Sequence, residues 1–362
     1  MAFISELAFY LVIIFAFGTF MGLVINVEWT DRSKKILYLM LGIALMAMAY
    51  SIWPGKGSDL SRYFNILSHL CSMSFKEALK SGYYNSTPIT NIFMWLISKT
   101  GNNKLLPCIS TGIIVFNIYL LIRVEERSTE KYIYNDSLYL FLIFSVATLL
   151  AITTGVRQNW MVTVYALAVY REYIKGKKDV CTILLYVASC MIHTSAIMLV
   201  FVRLCSFVRG RKKFIFFAWI VIAPLFERLS NVQGVLGEAV SKFYGYQAIG
   251  SEGLDIRYLI ARMGILVVLA IMWWKVKDIS DREEYINFYG TLLIISFGSV
   301  SVAHLFSRMA NVAVYTSLPL LDDFYESASP RDAFWSKVCL LFLSVGLFIY
   351  HYVLIKNSVR FI

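Results

Sequence analysis

The chain has 362 residues, of which 59% are hydrophobic and 16% are charged. An average soluble protein is about 45–50% apolar and about 25% charged, so this composition excludes an ordinary soluble enzyme. The apolar residues form runs close to the roughly 20 residues that a helix needs to cross a bilayer. They do not alternate with polar residues as in barrel strands. We therefore predict an all-α, polytopic helical membrane protein, with residues 1–362 as a single integral membrane domain.

The net charge of +11 has a simple explanation in such a protein. Cytoplasmic loops of membrane proteins carry an excess of Lys and Arg, and no nucleic-acid-binding motif accompanies the charge. We expect membrane lipid as a partner, and no nucleic acid. The Cys, His and carboxylate residues show no metal-ligand spacing, so we expect no metal and no other cofactor.

The apolar runs predict the membrane spans in chain order. Candidate spans are residues 5–25, 36–53, 105–122, 137–154, 158–174, 214–226, 258–274, 285–303, 306–321 and 334–356. Two further segments do not fit: residues 88–98 are about half a span, and His193 interrupts the apolar run 180–202.

The basic linkers between the runs decide how these two segments are interpreted, because such linkers favour the cytoplasm. All of them are cytoplasmic if residues 88–98 do not cross and residues 180–208 cross twice as short half-helices, with His193 near the tip. The chain then has about 11–12 transmembrane segments, counting short or re-entrant half-helices. If residues 180–202 are instead one ordinary span, every later segment inverts.

The first topology collects polar segments on the outer side of the membrane. They are the loops 54–87 and 227–257, the segment 153–158, His193 and the segment 304–315. We expect binding or chemistry on this side.

Asp59, Arg62 and Tyr63 form the first candidate group. At spacings of three and four residues they share one face of a helix, where Asp59 orients Arg62. The alternative is an interfacial amphipathic helix whose charges simply face water.

Arg157 and Gln158 lie between two apolar runs, in the segment TTGVRQNW. Arginines at the membrane edge usually face a cavity or a partner, and the guanidinium fork suits phosphate. Gln158 adds a donor and an acceptor at a helix start, which itself favours anions. The alternative is an arginine that extends to the membrane surface as an anchor. The same argument applies to Arg308. Arg257 ends the segment 243–258 at a span edge, and the aromatic and short polar residues of that segment suit sugars; the alternative is a segment that is merely flexible.

His193 lies in the sequence MIHTSA, within an apolar run. Its proton exchange near neutral pH makes it a candidate base, or an acid that contacts phosphate. The alternative is a hydrogen-bonded structural residue.

These motifs together resemble the core signature of EpsG/Wzy-type polysaccharide polymerases. The G-[IV]-R-Q element is matched by residues 155–158, and the later small residue and H-x-S element by Ala188, His193 and Ser195. SDLSRYFNIL, with Asp59, Arg62 and Tyr63, is similar to the family's early D-x-x-R-Y element, and FSRMANVAVY to its late arginine helix. Asn159 stands where the family usually has a small residue, which predicts looser packing of this helix.

The resemblance implies a GT-C-like membrane glycosyltransferase in the bacterial inner membrane. It would join undecaprenyl-pyrophosphate-linked oligosaccharide repeat units, one as donor and one as acceptor, into O-antigen or capsule on the periplasmic face. A chain-length regulator and a flippase are the protein partners that this reaction implies. We expect Asp59, Arg157 and His193 to be catalytic, and Arg62, Tyr63, Gln158, Ser195, Arg257 and Arg308 to bind substrate; all but Arg257 match the family's motifs.

Two other functions remain open on the sequence. An O-antigen ligase would pass the same donor to a lipid A core, and a large late periplasmic loop would favour it. A flippase would move the lipid-linked oligosaccharide across the bilayer, and internal repeats with midplane sites would favour it.

Overall fold

A computed structural model describes residues 31–55, 58–81, 87–125, 133–207, 256–300, 303–355 and 359–361. The predicted spans 5–25 and 214–226 and almost all of the loop 227–257 lie outside these residues.

The described part of the chain is helical apart from two short strands. The first helices are α1 (Asp31–Tyr50), α2 (Asp59–Ser72), α3 (Phe75–Lys80), α4 (Pro88–Ser98), α5 (Leu105–Glu125), α6 (Ile133–Val146), α7 (Leu149–Thr154) and α8 (Val156–Val169). A π-helical turn, Tyr170–Ile174, extends α8. The remaining helices are α9 (Val180–Ile192), α10 (Ala196–Ser206), α11 (Ile256–Val276), α12 (Glu283–Gly298), α13 (Ala303–Tyr315), α14 (Leu318–Ser327) and α15 (Pro330–Ile355). The fold is the predicted all-α class.

Within the described residues, three stretches are long and apolar enough to cross a membrane: Leu105–Arg123, Leu259–Val276 and Pro330–Tyr350. Shorter apolar helices accompany them: Tyr38–Tyr50, Pro88–Ser98, Val180–Ile192 and Ala196–Ser206. Helix α4 has 11 residues, or roughly 16 Å, and is too short to span a core of about 30 Å. This length favours the interpretation of residues 88–98 as a segment that does not cross, and that interpretation stays a prediction.

Two strands define one end of the molecule. Strand β1 (Ile52–Pro54) follows α1 and pairs antiparallel with β2 (Val359–Phe361), near the end of the chain. We call this the strand end. Pro54, the last residue of β1, begins the loop 54–87, which we predicted to lie on the outer side of the membrane.

Contacts between linkers define the opposite end, which we call the linker end. Lys178, in the basic linker after the π-helical turn, pairs with Glu284 at 2.8 Å. Lys275, at the end of α11, pairs with Asp332 at 2.6 Å. The two basic linkers around residues 175–179 and 277–282 therefore share one end of the bundle, as predicted.

The segment 180–206 leaves the linker end and returns to it. Helix α9 starts beside Lys178, and the carbonyl of Ser206, which ends α10, accepts a hydrogen bond from Asn287 near the start of α12. His193 lies between them with extended backbone, at φ −153° and ψ 128°. The predicted break into two half-helices at His193 is confirmed, and residues 180–202 do not form one continuous helix. The prediction that the two half-helices cross a membrane stays a prediction.

A buried ion pair ties the returning limb to α8. Glu172, in the π-helical turn, is 1% exposed and accepts hydrogen bonds from Nε and Nη2 of Arg203, each at 2.7 Å. Tyr186 donates to the same carboxylate at 2.7 Å. Because three donors satisfy the carboxylate, this network holds α8, α9 and α10 together at the linker end.

Two predicted spans are broken in the structure. The predicted span 137–154 divides into α6 and α7, and Thr148 caps α7 by accepting from the backbone N–H of Ala151 at 3.2 Å. The predicted span 306–321 divides into α13 and α14. Both predictions of a continuous span were wrong.

Tyrosines stabilise the second break. The carbonyls at a helix end have no partner within the helix. Here four fully buried tyrosines donate to carbonyls at the end of α13 and directly after it. Tyr289 donates to Ala313 at 2.9 Å, and Tyr285 donates to Thr316 at 2.6 Å. Tyr139 and Tyr170 both donate to the carbonyl of Tyr315, at 2.6 and 3.5 Å. These donors replace the water that would otherwise solvate the helix end.

Candidate functional site

Helix α2 supplies the first candidate residues at the strand end. Ser58 caps it by accepting from the backbone N–H of Ser61 at 3.1 Å, and Asp59 in the first turn complements the helix dipole. The predicted helix is confirmed. Its buried stripe includes Tyr63, which is 4% exposed, and Ile66, which is 7% exposed.

Asp59 and Arg62 lie at the edge of that stripe. Their side chains form an ion pair at 3.0 Å, in which the Arg62 side chain is 55% exposed and the Asp59 side chain is 56% exposed. Exposed pairs contribute only about 0–1 kcal/mol to stability, so the pair is no structural requirement. It leaves both charges accessible from outside the bundle.

Arg157 lies in the first turn of α8, directly after the junction with α7. A Cβ on Gly155 would come within 3.0 Å of the Ala151 carbonyl and 3.3 Å of Asn159 Nδ2. Glycine therefore permits the close approach of the two helices at this junction. Arg157 and Gln158 consequently lie at a helix start, as predicted.

Asn159 fixes the same junction. Its side chain is buried, 5% exposed, and its Nδ2 donates to the carbonyls of Ala151 at 3.1 Å and Gly155 at 3.2 Å. The prediction of looser packing at Asn159 was wrong, because the amide joins the end of α7 to the start of α8.

The structure brings Arg157 and Tyr63 together. Arg157 Nε donates to the Tyr63 hydroxyl at 3.4 Å, and its guanidinium carbon lies 5.8 Å from the centre of the Tyr63 ring. The guanidinium carbon of Arg62 lies 5.7 Å from the same ring. Two arginines from distant parts of the sequence thus share one aromatic ring, within cation–π distance.

Beside this pair is a small, open surface cleft. Its walls are largely apolar and aromatic, and Arg157 is its charged member; the lining residues are Tyr63, Thr90, Phe93, Met94, Leu106, Val156, Arg157 and Trp160. Phe93 and Trp160 meet edge to face at 5.2 Å on one wall. A ligand with an anionic group and an apolar portion matches these walls.

Helix α4 connects the cleft to His193. Thr90 lines the cleft and is 1% exposed, and its hydroxyl donates to the carbonyl of Ile192 at 2.8 Å. His193 follows that carbonyl directly. Its Nδ1 lies 3.1 Å from the backbone nitrogen of Ser195 and 2.9 Å from the Ser195 hydroxyl. The predicted residues His193 and Ser195 are thus in direct contact with each other, beside the wall of the cleft.

The remaining predicted residues are Gln158, Arg308 and Arg257. Gln158 is half-buried beside Arg157, and Arg308 is half-buried on α13. Arg257 lies in the first turn of α11, and its side chain is outside the described part of the structure. The predicted roles of these three residues stay predictions.

Arg262 is a charged residue that the sequence analysis missed. It lies on α11 and is 2% exposed. Its Nη1 donates to the carbonyl of Ser307 at 2.6 Å and also to the Ser307 hydroxyl, while Nη2 donates to the carbonyl of Val146 at 3.4 Å. Arg262 thereby joins the break between α6 and α7 to the residue that precedes Arg308. Its isolated position inside an apolar run, IRYLIARMGILVV, was the available signal.

The arrangement can hold a negatively charged group at the mouth of the cleft. A guanidinium presents several donors and keeps its charge throughout the physiological pH range. Tyr63 limits the orientations open to Arg157 by contacting Nε and the guanidinium face. Such a pre-oriented cation stabilises negative charge without transferring a proton.

Comparison with known proteins identifies one family. The sequence profile of the EpsG family matches residues 35–362. No curated protein and no solved structure matches the chain, so the likeness to the GT-C group stays a prediction.

Proposed function

Because this chain belongs to the EpsG family and is a polytopic helical membrane protein, we propose that it is a membrane polysaccharide polymerase acting on lipid-linked repeat units. Its donor and acceptor are oligosaccharides on undecaprenyl pyrophosphate. The protein is a multi-pass protein of the bacterial inner membrane, with its site on the periplasmic side. The product is a surface polysaccharide, either O-antigen or capsule.

The observation that carries this proposal is the cleft with Arg157 at its mouth. A lipid-linked sugar is anionic at the membrane surface and apolar below it. The cleft combines a single guanidinium with walls such as Phe93, Met94 and Trp160. The guanidinium matches the pyrophosphate, and the apolar wall matches the first units of the lipid chain.

The reaction needs negative charge stabilised on a leaving group. A hydroxyl oxygen of the acceptor forms a bond to the anomeric carbon of the donor, and the bond from that carbon to the pyrophosphate oxygen breaks. The electron pair leaves with the pyrophosphate, and the hydroxyl proton is released. Arg157 supports departure because it stabilises the charge that develops on the pyrophosphate.

The polar residues at the strand end supply further contacts. Arg62 and Asp59 lie beside Tyr63 with about half of their surfaces exposed, so they are placed to contact the second substrate. Arg308 lies next to Ser307, which Arg262 holds. In this proposal Gln158, Arg257 and Arg308 bind substrate.

The test is polymerisation by purified protein in liposomes. The probe is the lipid-linked oligosaccharide extracted from a strain that lacks this protein and accumulates its substrate. We expect the oligosaccharide to lengthen in repeat-unit steps, and Arg157→Ala protein to leave it unchanged. Movement of the probe across the bilayer without lengthening would contradict the proposal and indicate a flippase. Transfer of the glycan to added lipid A core, also without lengthening, would contradict it and indicate a ligase.

A further inference from the structure

The turn between α9 and α10 holds the ring of His193 by its Nδ1 atom. His193 caps α9, and its backbone N–H donates to the carbonyl of Ser189 at 3.1 Å. Two residues on, the backbone nitrogen of Ser195 lies 3.1 Å from His193 Nδ1. The Ser195 hydroxyl approaches the same ring nitrogen at 2.9 Å. The ring is therefore fixed against its own turn.

The chemistry of this contact decides where the ring proton is. A backbone N–H can only donate, so Nδ1 must accept and must carry a lone pair. A neutral imidazole has one proton, which is then on Nε2. The hydrogen bond made by one ring nitrogen sets the state of the other, and here the backbone of Ser195 sets it.

The turn is also fixed relative to the cleft. Thr90 donates to the carbonyl of Ile192, the residue before His193, at 2.8 Å. Thr90 is a buried residue of α4, and it lines the same cleft as Arg157. The turn that carries His193 is therefore held against a residue of the cleft wall.

We propose that the backbone N–H of Ser195 holds His193 in its Nε2–H form. His193 then acts as a hydrogen-bond donor to an anionic oxygen of the substrate, and not as the general base. A base needs a lone pair directed at the substrate, whereas the lone pair of His193 points at Ser195. The identity of the anion, a pyrophosphate oxygen, rests on the proposed function; the form of the ring does not.

The form of the ring can be measured directly. The chain has four histidines, and ¹⁵N NMR of histidine-labelled protein in lipid resolves protonated from unprotonated ring nitrogens. The His193→Gln variant identifies the His193 signals by their loss. At alkaline pH, where histidine is neutral, we expect an unprotonated Nδ1 and a protonated Nε2. The opposite assignment, with a proton on Nδ1, would overturn the proposal.

The Ser195→Ala variant separates the two contacts in the same experiment. Alanine keeps the backbone N–H and loses the hydroxyl, so we expect the Nε2–H form to persist. A shift of the proton to Nδ1 in this variant would show that the backbone contact does not fix the ring, and would overturn that step.

Activity variants at His193 test its role as a donor. The glutamine amide N–H reaches the position of Nε2, whereas the asparagine amide reaches only that of Nδ1. Loss of a hydrogen bond to a charged group costs about a hundredfold in rate. We expect His193→Gln to retain polymerisation within about tenfold of wild type, and His193→Asn and His193→Ala to lose about a hundredfold. Equal inactivation of all three variants, at normal abundance, would contradict a donor role.

The liposome assay and the NMR measurement together distinguish failure of the proposed function from failure of the ring assignment. If the liposome assay shows no polymerisation by wild-type protein but NMR gives the Nε2–H form, the proposed function fails and the assignment of the ring stands. If polymerisation occurs but Nδ1 is protonated, the proposed function stands and the role of Ser195 fails.

Discussion

Arg157 donates from Nε to the hydroxyl of Tyr63 at 3.4 Å, and the two residues are 94 positions apart in the sequence. This contact orients the guanidinium, whose planar donor fork is the feature that distinguishes arginine from lysine. A phosphate group matches that fork with two parallel hydrogen bonds. The contact therefore gives Arg157 an orientation that an arginine serving only as a membrane anchor does not need.

Replacement of Arg157 by lysine and replacement by alanine should both impair polymerisation. Lysine keeps the charge but loses the planar fork and the Nε contact with Tyr63. We expect a loss of about a hundredfold in rate, as for one charge-assisted hydrogen bond in the transition state. The measurement is the polymer length distribution at matched protein abundance.

Arg171→Lys is the matched control for that substitution. Arg171 lies in the π-helical turn at the linker end, where it pairs with Asp179 at 2.9 Å. This control should leave polymer length unchanged. Full-length polymer from the Arg157→Lys protein would exclude the fork and favour an anchoring arginine.

The ion pair of Asp59 and Arg62 should matter for activity more than for stability. Its exposure limits its structural contribution to about 0–1 kcal/mol. We expect Asp59→Ala and Arg62→Ala to reduce polymer yield while protein abundance stays near normal.

The exposed pair of Lys178 and Glu284 is the control for this prediction. The Lys178 side chain is 53% exposed and the Glu284 side chain is 50% exposed, and their charged atoms are 2.8 Å apart at the linker end. Lys178→Ala and Glu284→Ala should leave both polymer yield and abundance unchanged. Normal polymer from both Asp59→Ala and Arg62→Ala would indicate an interfacial helix with no role in the reaction.

Sequence patterns predicted the parts of the site that are local in the chain. Spacing gave the helix that carries Tyr63, the G-V-R-Q pattern gave the helix start at Arg157, and His193 marked a break in an apolar run. Each of these features depends on a few neighbouring residues, so it leaves a signal in a short window.

Features that depend on distant contacts were missed. The break after Tyr315 occurs in an apolar run and is stabilised by tyrosines such as Tyr139 and Tyr285, far away in sequence. The contact of Arg157 with Tyr63 likewise needs the packed bundle. The contacts of Arg262 were not predicted because they are mainly to backbone carbonyls, which carry no residue-specific pattern.

Arg262 should be required for the folded bundle. Its guanidinium satisfies carbonyls on two other segments while only 2% exposed, and hydrogen bonds to a charged group contribute about 1.5–3 kcal/mol each. We expect Arg262→Ala to lower the thermal unfolding temperature in detergent and the abundance in membranes. Arg262→Lys should recover part of this loss, since its ammonium reaches one carbonyl.

Arg331→Ala is the control, because Arg331 is an exposed arginine near the start of α15. It should leave the unfolding temperature unchanged. An Arg262→Ala protein that is as stable as wild type but inactive would contradict a structural role and place Arg262 in substrate binding.

The orientation of the bundle can be tested with two native cysteines. Cys71 lies at the end of α2, where its carbonyl accepts a hydrogen bond from Lys99, and its side chain is exposed. Cys181 is also exposed and lies in the first turn of α9, beside the basic linker. Helix α8 and its π-helical turn, roughly 27 Å long, separate the two ends. The two cysteines therefore lie at opposite ends of the bundle.

Positive charge decides which end faces the cytoplasm. The linker end carries the basic residues of linkers 175–179 and 277–282, so it should be cytoplasmic. In single-cysteine variants, with the other five cysteines replaced by serine, a membrane-impermeant maleimide should label Cys71 in intact spheroplasts. Cys181 should react only after permeabilisation. Labelling of Cys181 alone from outside would invert the bundle and move the candidate site to the cytoplasmic face, where a periplasmic polymerase could not work. Labelling of both from outside would contradict the placement of Cys71 and Cys181 on opposite sides of the membrane.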